Sequence, residues 1–173
     1  ARSPPRCAPR ESASPHRTPS NPAPPLANAG GRGVSVEPVT TSPIDEIIRQ
    51  HVFIEAWLSG SDDAPPESFA ERFDAALDPG FSMVSPDGSV TDRAALLDGF
   101  HRARGAVPGL RIEIRAATVV DTCADRSAVR YEEWQFEPDA TSVRVSTALL
   151  APDSRAPIGW SWRSLHETWL TAT

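Results

Sequence analysis

The hydrophobic positions between residues 44 and 100 recur at helical spacing and predict three helices. Ser42 and Pro43 suit the start of the first helix, and Gly60 suits its end. The second helix is expected to end at Asp-Pro-Gly 78–80, and Thr91 or Asp92 is expected to cap the third. The apolar stripes are Ile44, Ile47, Ile48 and Leu58; Phe69, Phe73, Ala76 and Leu77; and Leu96, Leu97 and Phe100.

Beyond Leu110 the apolar period shortens from about 3.6 residues to about 2, which predicts strands. Four long strands are expected over residues 110–120, 127–136, 143–150 and 160–170, after a short hairpin formed by 81–85 and 89–90. Helices first and an antiparallel meander last predict an α+β architecture. We expect a cone-shaped curved antiparallel sheet of four long strands plus a short hairpin, wrapped on three N-terminal helices.

The first 43 residues differ in composition from the rest, since they hold 10 of the 18 prolines and no aromatic residue. The sequence therefore predicts a disordered tail over residues 1–43 and one domain over residues 44–173. The tail lacks the continuous apolar core of a secretory signal, and we expect a cytoplasmic protein. Because the chain begins with Ala, we expect the natural product to begin near Val34.

The charged residues exclude several classes of function. The chain has 17 basic residues, all of them arginine, against 23 acidic ones, and a net charge of −6 argues against nucleic acid as the main partner. No apolar run approaches the roughly 18 residues of a membrane span. Without lysine there is no Schiff-base chemistry and no lysine-containing phosphate loop. Two cysteines are too few for a zinc site, and we expect no metal and no cofactor.

His166 is the first candidate for catalysis. The segment His-Glu-Thr-Trp 166–169 is similar to the start of a zinc-protease motif, but Leu170 stands where the second histidine is required. On a regular strand His166 shares a face with Trp160 and Trp162, away from Glu167. It is then either a general base among aromatic residues or a neutral histidine at a dimer interface.

Glu133 and Arg144 are candidates on the neighbouring strands. Either Glu132 or Glu133 faces inward, where a carboxylate must be paired or protonated. The inward one is a structural ion pair with Arg144 or Arg163, or a general acid or base. Arg144, on the same strand face as Ser146, is a clamp for a carboxylate ligand or a partner in a salt bridge between strands.

Polar and aromatic residues elsewhere suggest a pocket. His51 and Glu55 lie four residues apart on the first helix, where they line a pocket or sit at the edge of the helix. The tryptophans either pack the core or line a pocket for a flat apolar ligand. Those considered for ligand contact are Trp57, Trp134 and Trp162.

Four segments accompany this order of elements: Phe-Ser-Met-Val-Ser-Pro-Asp-Gly 81–88, Tyr-Glu-Glu-Trp-Gln 131–135, Arg-Val-Ser-Thr-Ala 144–148 and His-Glu-Thr-Trp-Leu 166–170. Together with the order of elements, they resemble the nuclear transport factor 2-like superfamily, in particular its bacterial branch of domains of unknown function. The superfamily includes ketosteroid isomerase, scytalone dehydratase and SnoaL-like cyclases. The resemblance implies a dimer through the sheet and a ligand pocket between sheet and helices. The isomerase trio of one Tyr and two Asp has no evident match, since the single Tyr131 lies in a strand.

These observations lead to three hypotheses. The first is a homodimeric cone domain that binds a small, largely apolar organic molecule and, as an enzyme, transfers protons without a cofactor in an isomerisation, dehydration or cyclisation. His166 is then base or acid, Glu133 its carboxylate counterpart, and Arg144 or Trp162 a ligand contact. The second is a non-catalytic ligand-binding or dimerisation module. A regulatory partner of a larger protein is a third reading, and it predicts an exposed apolar patch.

Overall fold

The computed structural model describes residues 41–170. The predicted tail therefore falls almost wholly outside the described residues, as does the predicted start near Val34. The division into a tail and one domain remains a prediction.

Three helices and six strands follow one another along the described chain. They are α1 (Pro43–Ser59), α2 (Ser68–Arg72), a three-residue 3₁₀ helix (Asp74–Ala76), β1 (Leu77–Val84), β2 (Val90–Asp92), α3 (Arg93–Arg102), β3 (Arg111–Thr122), β4 (Ser127–Glu137), β5 (Ala140–Pro152) and β6 (Trp160–Trp169). No helix among residues 41–170 combines the length and the apolar character needed to cross a bilayer.

The strands form one sheet in the order β2-β1-β6-β5-β4-β3. All neighbours are antiparallel except β1 and β6, which run parallel. The sheet is curved and unclosed, and with the three helices it gives the α+β cone that the sequence predicts. The predicted short hairpin is β1 with β2, and the parallel pairing joins it to the four long strands.

The second helix is shorter than predicted. Its five residues end at Arg72, and Leu77 already begins β1, where it pairs with Trp162 of β6. The segment 78–80, predicted as a helix stop, lies inside that strand at an irregularity between Leu77 and Ser82. Pro79 is tolerated there because proline, which has no N–H to donate, fits strands at such irregularities. Pairing with β6 overrides the local helical pattern.

Helix α1 carries the residues that matter most for the site. Ser42 caps it by accepting from the Ile44 N–H at 3.2 Å, while Asp45 accepts from the Ser42 N–H at 2.9 Å. Gly60 ends the helix in the left-handed conformation at φ 78°, as predicted. The buried face differs from the predicted stripe, because Ile48 is exposed. The buried positions are Glu46, Ile47, Gln50, His51, Phe53 and Trp57.

A β-bulge in β6 decides which side chains face the helices. Leu149 of β5 pairs with Ser164, whereas the next residue, Leu150, pairs with Trp162, so Arg163 is an extra residue in β6. Because side chains alternate along a strand, one extra residue reverses the faces beyond it. Trp162 and Glu167 are therefore both buried, and His166 between them in sequence is exposed.

Candidate functional site

A cavity of about 130 Å³ lies between the helices and the inner face of the sheet. Most of the cavity wall is apolar. This apolar part is formed by Ile54, Leu58, Phe73, Leu77, Phe81, Met83, Leu96, Phe100, Trp162 and Leu165. Its polar lining consists of Gln50, His51, Glu133, Gln135, Arg144 and Glu167. The combination of an apolar wall with a few grouped polar side chains is typical of small-molecule sites.

His51 and Glu133 form a buried ion pair at this cavity. The His51 Nε2 lies 3.3 Å from a Glu133 carboxylate oxygen, and Nδ1 lies 2.7 Å from the carbonyl oxygen of Ile47. Both neighbours are acceptors, which favours the imidazolium form, in which both ring nitrogens carry hydrogen. Burial lowers the pKa of His51, but the charge and hydrogen bond of Glu133 outweigh it and raise that pKa above its ordinary 6.5.

Glu133 is held ionised by several donors. Its Oε1 accepts from the Gln135 amide at 2.7 Å and lies 3.7 Å from an Arg144 guanidinium nitrogen. Burial raises the pKa of Glu133, yet His51, Arg144 and Gln135 together lower it from 4.5 to about 2. The sequence left Glu132 and Glu133 as alternatives, and the structure turns Glu133 inward. Glu132 lies on the outer face, where it accepts from Trp134 Nε1 at 3.0 Å.

Arg144 connects Glu133 with a second buried carboxylate. Its Nη1 lies 3.1 Å from Glu167, which also accepts from the Ser146 hydroxyl at 3.3 Å. Burial raises the pKa of Glu167 above its ordinary value, and the negative charge of Glu133 adds to that effect, while Arg144 opposes it. The two carboxylates of one site are thus shifted in opposite directions, the arrangement in which one serves as a fixed anion and the other exchanges protons.

Tyr131 lies behind the two carboxylates. Its ring meets the ring of His51 edge-on, with centroids 5.3 Å apart. Burial, together with the negative charges of Glu133 and Glu167, raises the pKa of Tyr131 well above 10, against the opposing influence of Ser146. The phenol therefore stays neutral, and it belongs to the core rather than to the cavity wall.

The structure corrects the placement predicted for His166. Its side chain is exposed on the outer face of the sheet and does not line the cavity. The prediction assumed unbroken alternation from Trp162 to His166, and the bulge at Arg163 breaks it. His51, which the sequence singled out on α1, supplies the histidine of the site, and the carboxylate on β6 is Glu167.

The remaining sequence candidates divide between cavity and scaffold. Trp162 lines the cavity, and its Nε1 donates to Glu46 at 3.0 Å. Trp57 is core, with Nε1 donating to the Phe100 carbonyl at 2.6 Å. Glu55 does not meet His51; it accepts from the Ile112 N–H at 2.5 Å.

Two further candidates also lie off the cavity wall. Ser146 is buried beside Glu167 without lining the cavity. Trp134 stacks on Phe136 on the outer face, under the guanidinium of Arg115.

Sequence reasoning missed Gln50 and passed over Glu167. Helical spacing could have identified Gln50, because the residue lies three positions after Ile47 and four before Ile54 and so falls on the buried stripe. No sequence signal marked the bulge that turns Glu167 inward. Within residues 41–170, no three side chains of the His, Cys, Asp and Glu types converge as metal ligands.

Solved structures resemble this arrangement of elements. A nuclear transport factor 2-like protein of unknown function from Pseudomonas aeruginosa is 35% identical, with 74% of this chain and 98% of that chain covered at a TM-score of 0.65. A nuclear transport factor 2-like protein of unknown function in nutrient uptake from Rhodospirillum rubrum is 17% identical (76% and 100% covered, TM-score 0.55). The CaMKII hub of S. rosetta is 17% identical (75% and 98%, TM-score 0.55). The latter two likenesses concern the fold alone.

No protein-family model matches the sequence, and the search of curated proteins finds no match either.

Proposed function

This chain belongs to the nuclear transport factor 2-like family, and we propose that its cavity binds a small, largely apolar organic molecule. The observation that carries the proposal is the cavity itself, whose apolar wall meets a buried group of four charged side chains. Burying these ions costs free energy that packed apolar residues would not cost. We therefore attribute the group to a ligand site rather than to the stability of the fold. The group consists of His51, Glu133, Arg144 and Glu167.

The cavity volume restricts the size of the ligand. At about 130 Å³ it is smaller than the roughly 300–1,000 Å³ of pockets for drug-sized molecules. A cavity of about 150 Å³ accommodates one aromatic ring. The ligand is therefore a single-ring or short-chain compound.

We propose proton transfer without a cofactor as the chemistry of the site. A general base works best with a pKa near the working pH, which favours Glu167, whose pKa is raised, over Glu133, whose pKa is about 2. Glu133 instead fixes the His51 imidazolium, which holds a proton beside the cavity. Isomerisation, dehydration and cyclisation all need this combination of an acid and a base. The alternative is a non-catalytic ligand-binding module that uses the same cavity.

Binding is expected for single-ring apolar molecules such as monosubstituted cyclohexanes and benzenes. Met83 is the single methionine of the chain and lines the cavity, so its ¹³C-labelled methyl signal reports occupancy by NMR. Leu96→Trp fills the cavity from α3 and is expected to abolish the ligand-induced shift. Val52→Trp, on the exposed face of α1, is the matched control and is expected to leave it unchanged. A wild-type signal that no single-ring probe moves would contradict the proposal.

We also propose a homodimer through the outer face of the sheet, as the family resemblance implies. Trp134 and Phe136 stack there with ring centroids 6.4 Å apart, and Arg115 lies over both rings. Light scattering is expected to give twice the chain mass of 18.6 kDa, and Trp134→Glu to give a monomer. A wild-type monomer at micromolar concentration would overturn this proposal. A cytoplasmic location remains a prediction.

A further inference from the structure

Gln50 lines the cavity and carries a buried amide donor that makes no hydrogen bond within residues 41–170. The residue is 2% exposed, and its Oε1 accepts from Arg49 Nη2 at 3.1 Å. Because a guanidinium only donates, this contact fixes the orientation of the amide and leaves Nε2 as the other end. Nε2 has no hydrogen-bond partner among residues 41–170. An unmade hydrogen bond at a buried amide is costly, so the site favours a ligand that supplies an acceptor.

The charges of the cavity already balance one another. The guanidinium of Arg144 faces Glu167 at 3.1 Å and Glu133 at 3.7 Å, and both ring nitrogens of His51 have acceptors. A carboxylate ligand would bring a third negative charge to two cations that already share two carboxylates, in a buried site where unpaired charge is costly. The Arg144 Nε, which also has no partner among the described residues, is a second free donor. Both unpartnered donors are therefore better matched by an uncharged acceptor than by an anion.

We infer that the ligand is an uncharged molecule with an acceptor oxygen, such as a ketone, aldehyde or amide, and that Gln50 Nε2 donates to that oxygen. The inference rests on the proposed function, because it concerns the same cavity. The apolar remainder of the ligand lies against the wall that includes Ile54, Phe73 and Leu165. Gln50 thus determines specificity, while the ion pairs of the sheet are left intact.

Three probes of similar size test the inference through the Met83 methyl signal: cyclohexanone, methylenecyclohexane and cyclopentanecarboxylate. The ketone is expected to bind about tenfold more tightly than its hydrocarbon counterpart, the upper range for one neutral hydrogen bond, and the carboxylate most weakly. In Gln50→Leu the preference for the ketone is expected to fall to about twofold or less, with the hydrocarbon bound at least as well. Ile48→Leu, on the exposed side of the same helix, is the control and keeps the tenfold preference.

The possible outcomes separate the inference from the proposed function. If ketone and hydrocarbon bind equally, or the carboxylate binds most tightly, the cavity stays a binding site and the role of Gln50 is overturned. If no probe moves the Met83 signal, the inference about Gln50 and the proposed function are both overturned. Should Gln50→Leu fail to fold, the wild-type protein decides: the carbonyl stretch of bound cyclohexanone is expected below its frequency in hexane, and an unshifted stretch would overturn the inference.

Discussion

Replacing His51 by leucine is expected to lower the free energy of unfolding by about 3–5 kcal/mol, the usual cost of breaking a buried ion pair on one side. Glu133, 4% exposed, would keep a carboxylate in the interior after losing the donor at 3.3 Å. Urea unfolding at neutral pH measures the change. The loss arises from the charge left behind and not from the missing ring alone.

Two variants control this prediction. His166→Leu changes an exposed histidine of the same chain and is expected to alter the unfolding free energy by no more than about 0.5 kcal/mol. The double variant His51→Leu with Glu133→Gln removes both charges and is expected to recover much of the lost stability. A single His51→Leu substitution that costs less than about 1 kcal/mol would show that the pair is not buried as described.

The pH dependence of stability gives a second readout of the same pair. The pKa of Glu133 falls from 4.5 to about 2 on folding, so its contribution is present above 4.5 and is lost as the pH falls toward 2. That shift corresponds to about 3 kcal/mol. The pKa of His51 is raised, so its contribution is complete below 6.5 and is lost as the pH rises through the folded-state value. Glu167, with a raised pKa, acts in the opposite sense to Glu133. In His51→Leu, the free energy of unfolding is expected to fall less steeply between pH 4.5 and pH 2, because Glu133 has lost a partner that lowers its pKa.

Glu167→Gln is expected to reduce catalysed proton exchange by about 100-fold or more, the usual contribution of a general base. Cyclohexanone in D₂O is a suitable probe, because removal of an α-hydrogen by a base and return of deuterium from solvent are followed directly by NMR. In the proposed reaction Glu167 accepts the proton, and the Gln50 amide donates to the oxygen on which negative charge develops.

Glu132→Gln is the matched control for this experiment, since Glu132 is the acid on the outer face of β4. The Glu132→Gln protein is expected to catalyse the exchange of cyclohexanone hydrogens at the wild-type rate. Equal rates in the wild type and in Glu167→Gln would remove Glu167 as the base. A wild-type protein that binds cyclohexanone without accelerating exchange over buffer would favour the non-catalytic alternative.

Much of the fold was predictable because its signals are local. Ser42 and Gly60 marked the ends of α1, and the alternation from Leu110 onward marked the long strands, whose order agrees with the cone. The start of β1 at Leu77 was not predictable from the helical pattern around it, since that strand depends on pairing with Trp162 about 85 residues further along the chain.

The site was predictable on the regular elements and not beyond the bulge. Glu133 and Arg144 face each other in register between β4 and β5. Strand alternation reduced the inward carboxylate to Glu132 or Glu133, and the fold selects Glu133. Glu167 required knowledge of the extra residue at Arg163, which no turn residue or change of period announces. His51 was noticed on α1 together with Glu55, four residues further along the same helix. The contact with Glu133 is long-range in sequence, and helical spacing cannot reveal it.

The irregular position at Arg163 also bears on how such a scaffold diversifies. A one-residue slip of the end of β6 against β5 that absorbed the extra residue would pair His166 with Ser146, presenting His166 to the interior and Glu167 to solvent. A carboxylate would be exchanged for an imidazole while every neighbouring strand kept its place. A change of register at this point is therefore a route to new chemistry that substitution patterns alone would not reveal, and sequence comparisons across the family need to align this strand by the faces of its side chains.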